Sequence, residues 1–238
     1  MNTTASDIKR LIVFDLDDTL FPEAEFVASA RREIARRLSG RYRIPASSLL
    51  MIMSHPGEGE NAFDALSRFL TKAIGENVEE SIKWMVDVYR THKPDISLAH
   101  GVRAALAALA DDPHTLTGLI TRGRLTTQIN KIEALGLRPY LSIPPSICTQ
   151  TDSDGSKSHF FRHYDRAVPG RVARISVGDN PPVDFAEPKR MGWITVAVAD
   201  RGDNIHPQNF STCPAICRPD HVIDSVADLP ALLEKIGV

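Results

Sequence analysis

The chain has 238 residues, which suits one large domain or a domain carrying a smaller insert. Apolar residues make up 42% and charged residues 24%, an ordinary globular balance that excludes a disordered or collagen-like chain. The formal net charge of −2 comes from 28 basic and 30 acidic side chains, and gives no reason to expect nucleic acid or an anionic membrane as partner.

The first apolar run, Leu11-Ile12-Val13-Phe14, is short, continuous and β-branched, as expected of a buried parallel strand. Residues Phe21 to Leu98 hold no convincing strand. There Val27, Ala30, Ile34 and Leu38 predict one helix, a shorter one covers Ser47–Met53, and two more follow. These carry Phe63, Leu66, Leu70 and Ile74, then Ile82, Met85, Val86 and Tyr89. Phe21-Pro22 and His92-Lys93-Pro94 read as the hinges of this all-helical insert, since proline fixes φ and restricts its neighbour. Beyond it, helical stripes (Val102, Ala105, Leu106, Leu109; Leu125, Ile129, Ile132, Leu135; Val226, Leu229, Leu233, Ile236) alternate with short apolar runs. The runs are Leu119-Ile120, Arg174–Val177 and Ile194–Val198, with weaker ones near Ile147 and at His221–Ile223. Strands alternating with helices predict an α/β fold with a mostly parallel sheet and helices on both faces.

The first strand runs straight into Asp15-Leu16-Asp17-Asp18-Thr19-Leu20. The carboxyl ends of parallel strands are where ligands bind. Asp15 and Asp17 sit two apart, so extended backbone would point both to one side. One such acid can hold a hard cation or attack phosphorus while the other shuttles a proton. A bare Asp-x-Asp also suits a polar turn with Asp caps. Leu119-Ile120 ends in Thr121-Arg122-Gly123, a hydroxyl ahead of a helix start that suits either an N-cap or a phosphate. Ile175-Ser176-Val177 runs into Gly178-Asp179-Asn180, with Asp184 five residues beyond Asp179. Lys157 precedes that strand.

In this order the four pieces resemble the motifs of the haloacid dehalogenase superfamily. Asp15-Leu16-Asp17-Asp18-Thr19 is similar to its first motif, Thr121 to the second, Lys157 to the third, and Gly178-Asp179 with Asp184 to the acidic fourth. Lys131 is set aside as the third-motif lysine because it falls mid-helix. The resemblance implies a Rossmann-like sheet domain over residues 1–20 and 99–238, with a helical cap over 21–98 inserted after the first strand. It also implies that Asp15 attacks phosphorus to form an aspartyl-phosphate, with Asp17 as acid and then base. Thr121 and Lys157 would hold phosphoryl oxygens, with Leu16 and Arg122 as neighbouring substrate-binding positions. The implied cofactor is Mg²⁺, on the Asp15 carboxylate, the Asp17 backbone carbonyl and the Asp179 carboxylate. Asp184 and Asn180 would orient this set from behind. Dehalogenase members lack an acid two residues after the nucleophile, so Asp17 favours phosphoryl transfer. The expected activity is a Mg²⁺-dependent phosphatase of small phosphomonoesters, of the sugar phosphate or nucleoside monophosphate class. A sugar phosphomutase shares the same acid, and a non-catalytic regulator could retain the fold.

The insert carries Arg31, Arg32, Arg36, Arg37, Arg41 and Arg43, which read as a solvated helix face, with attraction of anionic substrates as the sharper alternative. His55, beside Gly57 on a loop, is a candidate substrate contact. Three cysteines, Cys148, Cys213 and Cys217, are too few for a disulfide scaffold, and Cys213 and Cys217 lack Cys-x-x-Cys spacing, so residues 201–219 read as a plain loop. No apolar run approaches the ~20 residues of a membrane span. The first residues lack the order of a signal peptide, so the expected compartment is the cytoplasm. Asn-x-Ser/Thr matches at Asn2 and Asn209 then carry little weight.

Overall fold

Each short β-branched run of the sequence forms a strand. The computed structural model describes residues 8–151, 156–200, 202, 204, 208, 210 and 212–238; Asn2 and Asn209 lie outside them, as do several residues of the 201–219 segment. After β1 (Arg10–Phe14) come α1 (Glu23–Tyr42), α2 (Ala46–Ser54), α3 (Ala62–Ile74) and α4 (Val78–Thr91). Then follow α5 (His100–Asp111), β2 (Thr115–Arg122), α6 (Leu125–Ala134), β3 (Ser146–Cys148) and α7 (Ser158–Ala167). The chain ends through β4 (Ala173–Gly178), α8 (Pro181–Asp184), α9 (Ala186–Arg190), β5 (Ile194–Val198), β6 (His221–Ile223) and α10 (Leu229–Ile236). Among the described residues no helix is long and apolar enough to cross a membrane.

The six strands form one sheet in the order β3-β2-β1-β4-β5-β6. Every neighbouring pair is parallel. Leu11, Ile12, Val13 and Phe14 are all buried, so both faces of β1 are covered, as a parallel sheet demands. Leu11 and Val13 pack with Phe161 and Tyr164 of α7 and with Trp193. The chain builds outward from β1 to β3 on one side, then returns to β4 on the other. Strand order therefore reverses around β1, and in open α/β sheets the crevice at that point, at the carboxyl ends of the strands, is where ligands bind.

The chain divides into two compact units, residues 1–24 with 97–238, and Glu25–Ile96. Residues 21–24 and 97–98, expected in the insert, belong with the sheet unit. Phe21 and Leu98 are buried, and Phe21 bridges back to Asp17. The second unit has its own core, in which Ile34 and Leu38 of α1 meet Leu49 and Met53 of α2, Leu66 and Leu70 of α3, and Met85 and Val88 of α4. Its helix ends are specified locally: Asn61 makes a capping box with Asp64, and Gly75 closes α3 in the left-handed conformation. The arginines of α1 lie on a solvated face, where Arg36 and Arg37 both pair with Glu33, and Arg41 with Glu76.

Two tertiary contacts invite measurement. Gly118 lies inside β2 because Tyr164 crosses it: a Cβ there would sit 2.3 Å from Tyr164 Cε1. Gly118→Ala should cost about 1–3 kcal/mol of stability through overpacking, read as a lowered urea midpoint. Arg10 opens β1 and donates to Asp112 Oδ2 at 2.5 Å, Thr115 Oγ1 at 2.6 Å and the Val238 carbonyl at 2.8 Å. Burial raises the Asp112 carboxyl, but hydrogen bonds from Thr115, Arg10 and the His114 N–H outweigh it and hold the group down at about 2. The fold thus prefers the carboxylate, so its stabilisation is complete above the ordinary value of 3.8 and is lost as pH falls toward 2. Asp112→Asn should cost about 1–2 kcal/mol in urea unfolding at neutral pH, with the gap to the native chain narrowing below pH ~4.

Candidate active site

Asp15 follows β1 directly, and its N–H still bonds to the Val177 carbonyl of β4 at 2.9 Å. The chain then turns tightly. The Leu20 N–H returns to the Leu16 carbonyl at 3.0 Å, and Asp17 bridges to Phe21. Asp18 takes a positive φ of 54°, a conformation aspartate tolerates, and its Oδ1 accepts from the Glu23 N–H at 2.7 Å. Thr121 lies on β2 and Asp179 immediately follows β4. The ends of three adjacent strands, β2, β1 and β4, therefore bring Thr121, Asp15 and Asp179 to the switch point.

The sequence offered Thr121 as an N-cap or a phosphate-binding hydroxyl. It is buried within β2, and Arg124 precedes α6, so the cap reading fails. Thr121 Oγ1 accepts from Gln128 Nε2 at 2.8 Å, which leaves its own proton free to be donated. Lys157 precedes α7, and its Nζ lies 2.5 Å from Asp15 Oδ1 and 2.7 Å from Asp184 Oδ1. Burial works against the ammonium charge, but Asp15 and Asp184 outweigh it and hold Lys157 above the ordinary lysine value.

Asp184 has both oxygens engaged: Oδ1 by Lys157, and Oδ2 by the Asn180 N–H at 2.9 Å. Gly178 makes room for it, since a Cβ there would lie 2.6 Å from Asp184 Cβ. Asp184 and Asn180 thus build the turn that presents Asp179. Leu16 is fully buried, so its side chain offers nothing to a ligand, and its carbonyl is used by Leu20. Arg122 is exposed, and its carbonyl accepts from Gln128 at 2.8 Å. His55 caps α2 in the helical unit, with Nδ1 3.1 Å from the Met51 carbonyl. It lines a cleft of about 570 Å³ with Met51, Arg68 and Lys72.

Carboxylate oxygens of Asp15, Asp179 and Asp184 lie within 4.8 Å of one another. Burial pushes Asp15 up to about 7, with Lys157 opposing the rise and Asp184 adding to it. Asp179 is pushed up to about 9 by burial and by repulsion from Asp15, Asp184 and Asp18. Crowded acids that resist shared ionisation, all with hard oxygen donors, fit a divalent cation such as Mg²⁺.

Sequence reasoning passed over three further residues. Lys131, set aside as mid-helix, is buried, with Nζ 2.6 Å from Asp17 Oδ1 and 3.3 Å from Glu23 Oε1. Gln128, one turn earlier on α6, donates to Asp17 Oδ2 at 2.9 Å. Glu23 is raised above the usual carboxylate value by burial and by Asp17, with Lys131 opposing. The available signal was Gly123: a Cβ there would lie 2.9 Å from Gln128 Nε2, so this glycine admits the amide.

This chain belongs to the haloacid dehalogenase-like hydrolases, whose sequence profile matches residues 12–198, a span that holds every acid of the site. It is accordingly a hydrolytic enzyme. The glyceraldehyde 3-phosphate phosphatase of Methanocaldococcus jannaschii is 27% identical over 207 residues, 79% of this chain and 83% of that protein. Among the solved structures that share the fold are the following two. A candidate β-phosphoglucomutase of Thermotoga maritima has TM-score 0.59 at 16% identity, covering 95% of this chain and 99% of that one. A magnesium-bound HAD-hydrolase of Bacillus subtilis has TM-score 0.53 at 16% identity, covering 97% and 100%.

Proposed function

We propose that this protein is a Mg²⁺-dependent phosphatase of small phosphomonoesters, of the sugar phosphate or nucleoside monophosphate class. The observation that carries this reading is the meeting of Asp15, Asp179, Lys157 and Thr121 at three adjacent strand ends, with a second carboxyl at Asp17. The phosphatase activity named for the Methanocaldococcus jannaschii relative supports it.

The Asp15 and Asp179 carboxylates and the Asp17 backbone carbonyl would hold Mg²⁺, with Asp184 and Asn180 orienting the set from behind. When bound, the cation neutralises charge between the phosphoryl dianion and the acids. Lys157 and the Thr121 hydroxyl hold non-bridging oxygens of the ester, and Lys157 offsets the negative charge that builds around them. Asp15 Oδ attacks phosphorus as the bond to the leaving oxygen breaks, giving an aspartyl-phosphate. The Asp17 carboxyl gives its proton to the leaving oxygen. The resulting carboxylate then takes a proton from the water that attacks phosphorus and frees Asp15.

The test is a screen of the purified protein with Mg²⁺ against many phosphate esters. Release of inorganic phosphate from small esters is expected. Conversion of a sugar phosphate into its isomer without net release would replace the phosphatase with a mutase, and silence on every ester would contradict both.

A further inference from the structure

Gln128 and Lys131 are the polar residues that α6 turns toward the interior, and each is only 2% exposed. Burying an ammonium and an amide is costly unless each finds partners, and both find one in Asp17. Lys131 Nζ meets Asp17 Oδ1 at 2.6 Å and Gln128 Nε2 meets Asp17 Oδ2 at 2.9 Å, so each carboxyl oxygen receives one donor from α6. Two donors from one rigid helix fix both the place of a carboxyl and the plane in which it lies. Gln128 shares its two amide hydrogens among Asp17, Thr121 Oγ1 and the Arg122 carbonyl, and among the described residues its buried Oε1 has no hydrogen-bond partner. Lys131 Nζ also lies 3.3 Å from Glu23 Oε1.

We propose that Lys131 and Gln128 are positioning residues that aim the Asp17 carboxyl at the leaving oxygen of the ester. The idea rests on the reading of Asp17 as proton donor. In that step the phosphorus–oxygen bond breaks as the Asp15–phosphorus bond forms, and the Asp17 proton moves to the departing oxygen. A carboxyl misplaced by 1 Å loses much of that transfer, yet it leaves the attack by Asp15 intact.

The choice of leaving group separates this role from a structural one. An alkoxide needs the proton, whereas dinitrophenolate departs without it. The experiment measures kcat/KM on the best alkyl phosphate of the screen and on dinitrophenyl phosphate, for the native chain and for Asp17→Asn, Lys131→Met, Lys131→Arg and Gln128→Met. Lys131→Met should lower the alkyl value by ~10²-fold and the dinitrophenyl value by less than ~5-fold, with the half-saturating Mg²⁺ concentration unchanged. Lys131→Arg should recover at least tenfold of the loss, on the order expected of a retained cation. Gln128→Met should show the same selectivity at ~10-fold, and it decides the matter should Lys131→Met not fold. Equal losses on both esters, or no loss, would overturn the proposal. If Asp17→Asn is selective and the α6 variants are not, the positioning role alone falls. If Asp17→Asn is itself unselective, the reading of Asp17 falls and takes the positioning role with it.

Discussion

Replacing Asp15 by asparagine is expected to abolish turnover, by ~10⁴-fold or more, while the fold survives. The proposed nucleophile has no ready substitute, because the neighbouring carboxyls are already engaged. Asp17 is held by Lys131 and Gln128, and both oxygens of Asp184 are engaged. The fold tolerates the change because Lys157 keeps Asp184 at 2.7 Å, and because Asp15 repels the buried Asp179 in the native chain. Kinetics on the best ester of the screen, with circular dichroism and thermal unfolding as controls, checks both halves. Near-native turnover in a folded Asp15→Asn protein would remove Asp15 from the chemistry.

Asp17→Asn should produce a different defect. Asparagine keeps the backbone carbonyl assigned to the cation but removes the carboxyl proposed to transfer the proton. Turnover should fall by ~10²–10⁴-fold while Mg²⁺ binding, read by calorimetry, stays close to native. A collapse of Mg²⁺ affinity would show that the Asp17 side chain itself holds the cation, and the division of labour between side chain and carbonyl would have to be redrawn.

What the sequence made legible depended on whether a residue's role follows from its own neighbourhood. Leu11–Phe14 and Ile194–Val198 are read as strands because a buried parallel strand shows itself as a continuous β-branched run. Asp15 and Asp179 are found because each directly follows such a run. α7 was missed although Ser158–Ala167 is amphipathic at helical period, with Phe161 and Tyr164 on its buried face; the stripe is short and set among charged and polar residues. Lys131 was set aside because it lies mid-helix, away from a strand end. Its partner Asp17 lies 114 residues away in sequence, so only the fold reveals the pair. Gln128 is hidden in the same way, although the glycine that admits it, Gly123, is visible.

The central claim is a covalent phosphoryl group on Asp15. It is tested most directly by acid-quenching the protein during turnover of its best ester with Mg²⁺, reducing with borohydride and sequencing the peptides by mass spectrometry. An acyl phosphate on aspartate is reduced to homoserine. The mechanism predicts homoserine at position 15, dependent on both ester and Mg²⁺. Turnover with no modified residue, or with the modification at Asp17, Asp179 or Asp184 instead, would contradict it.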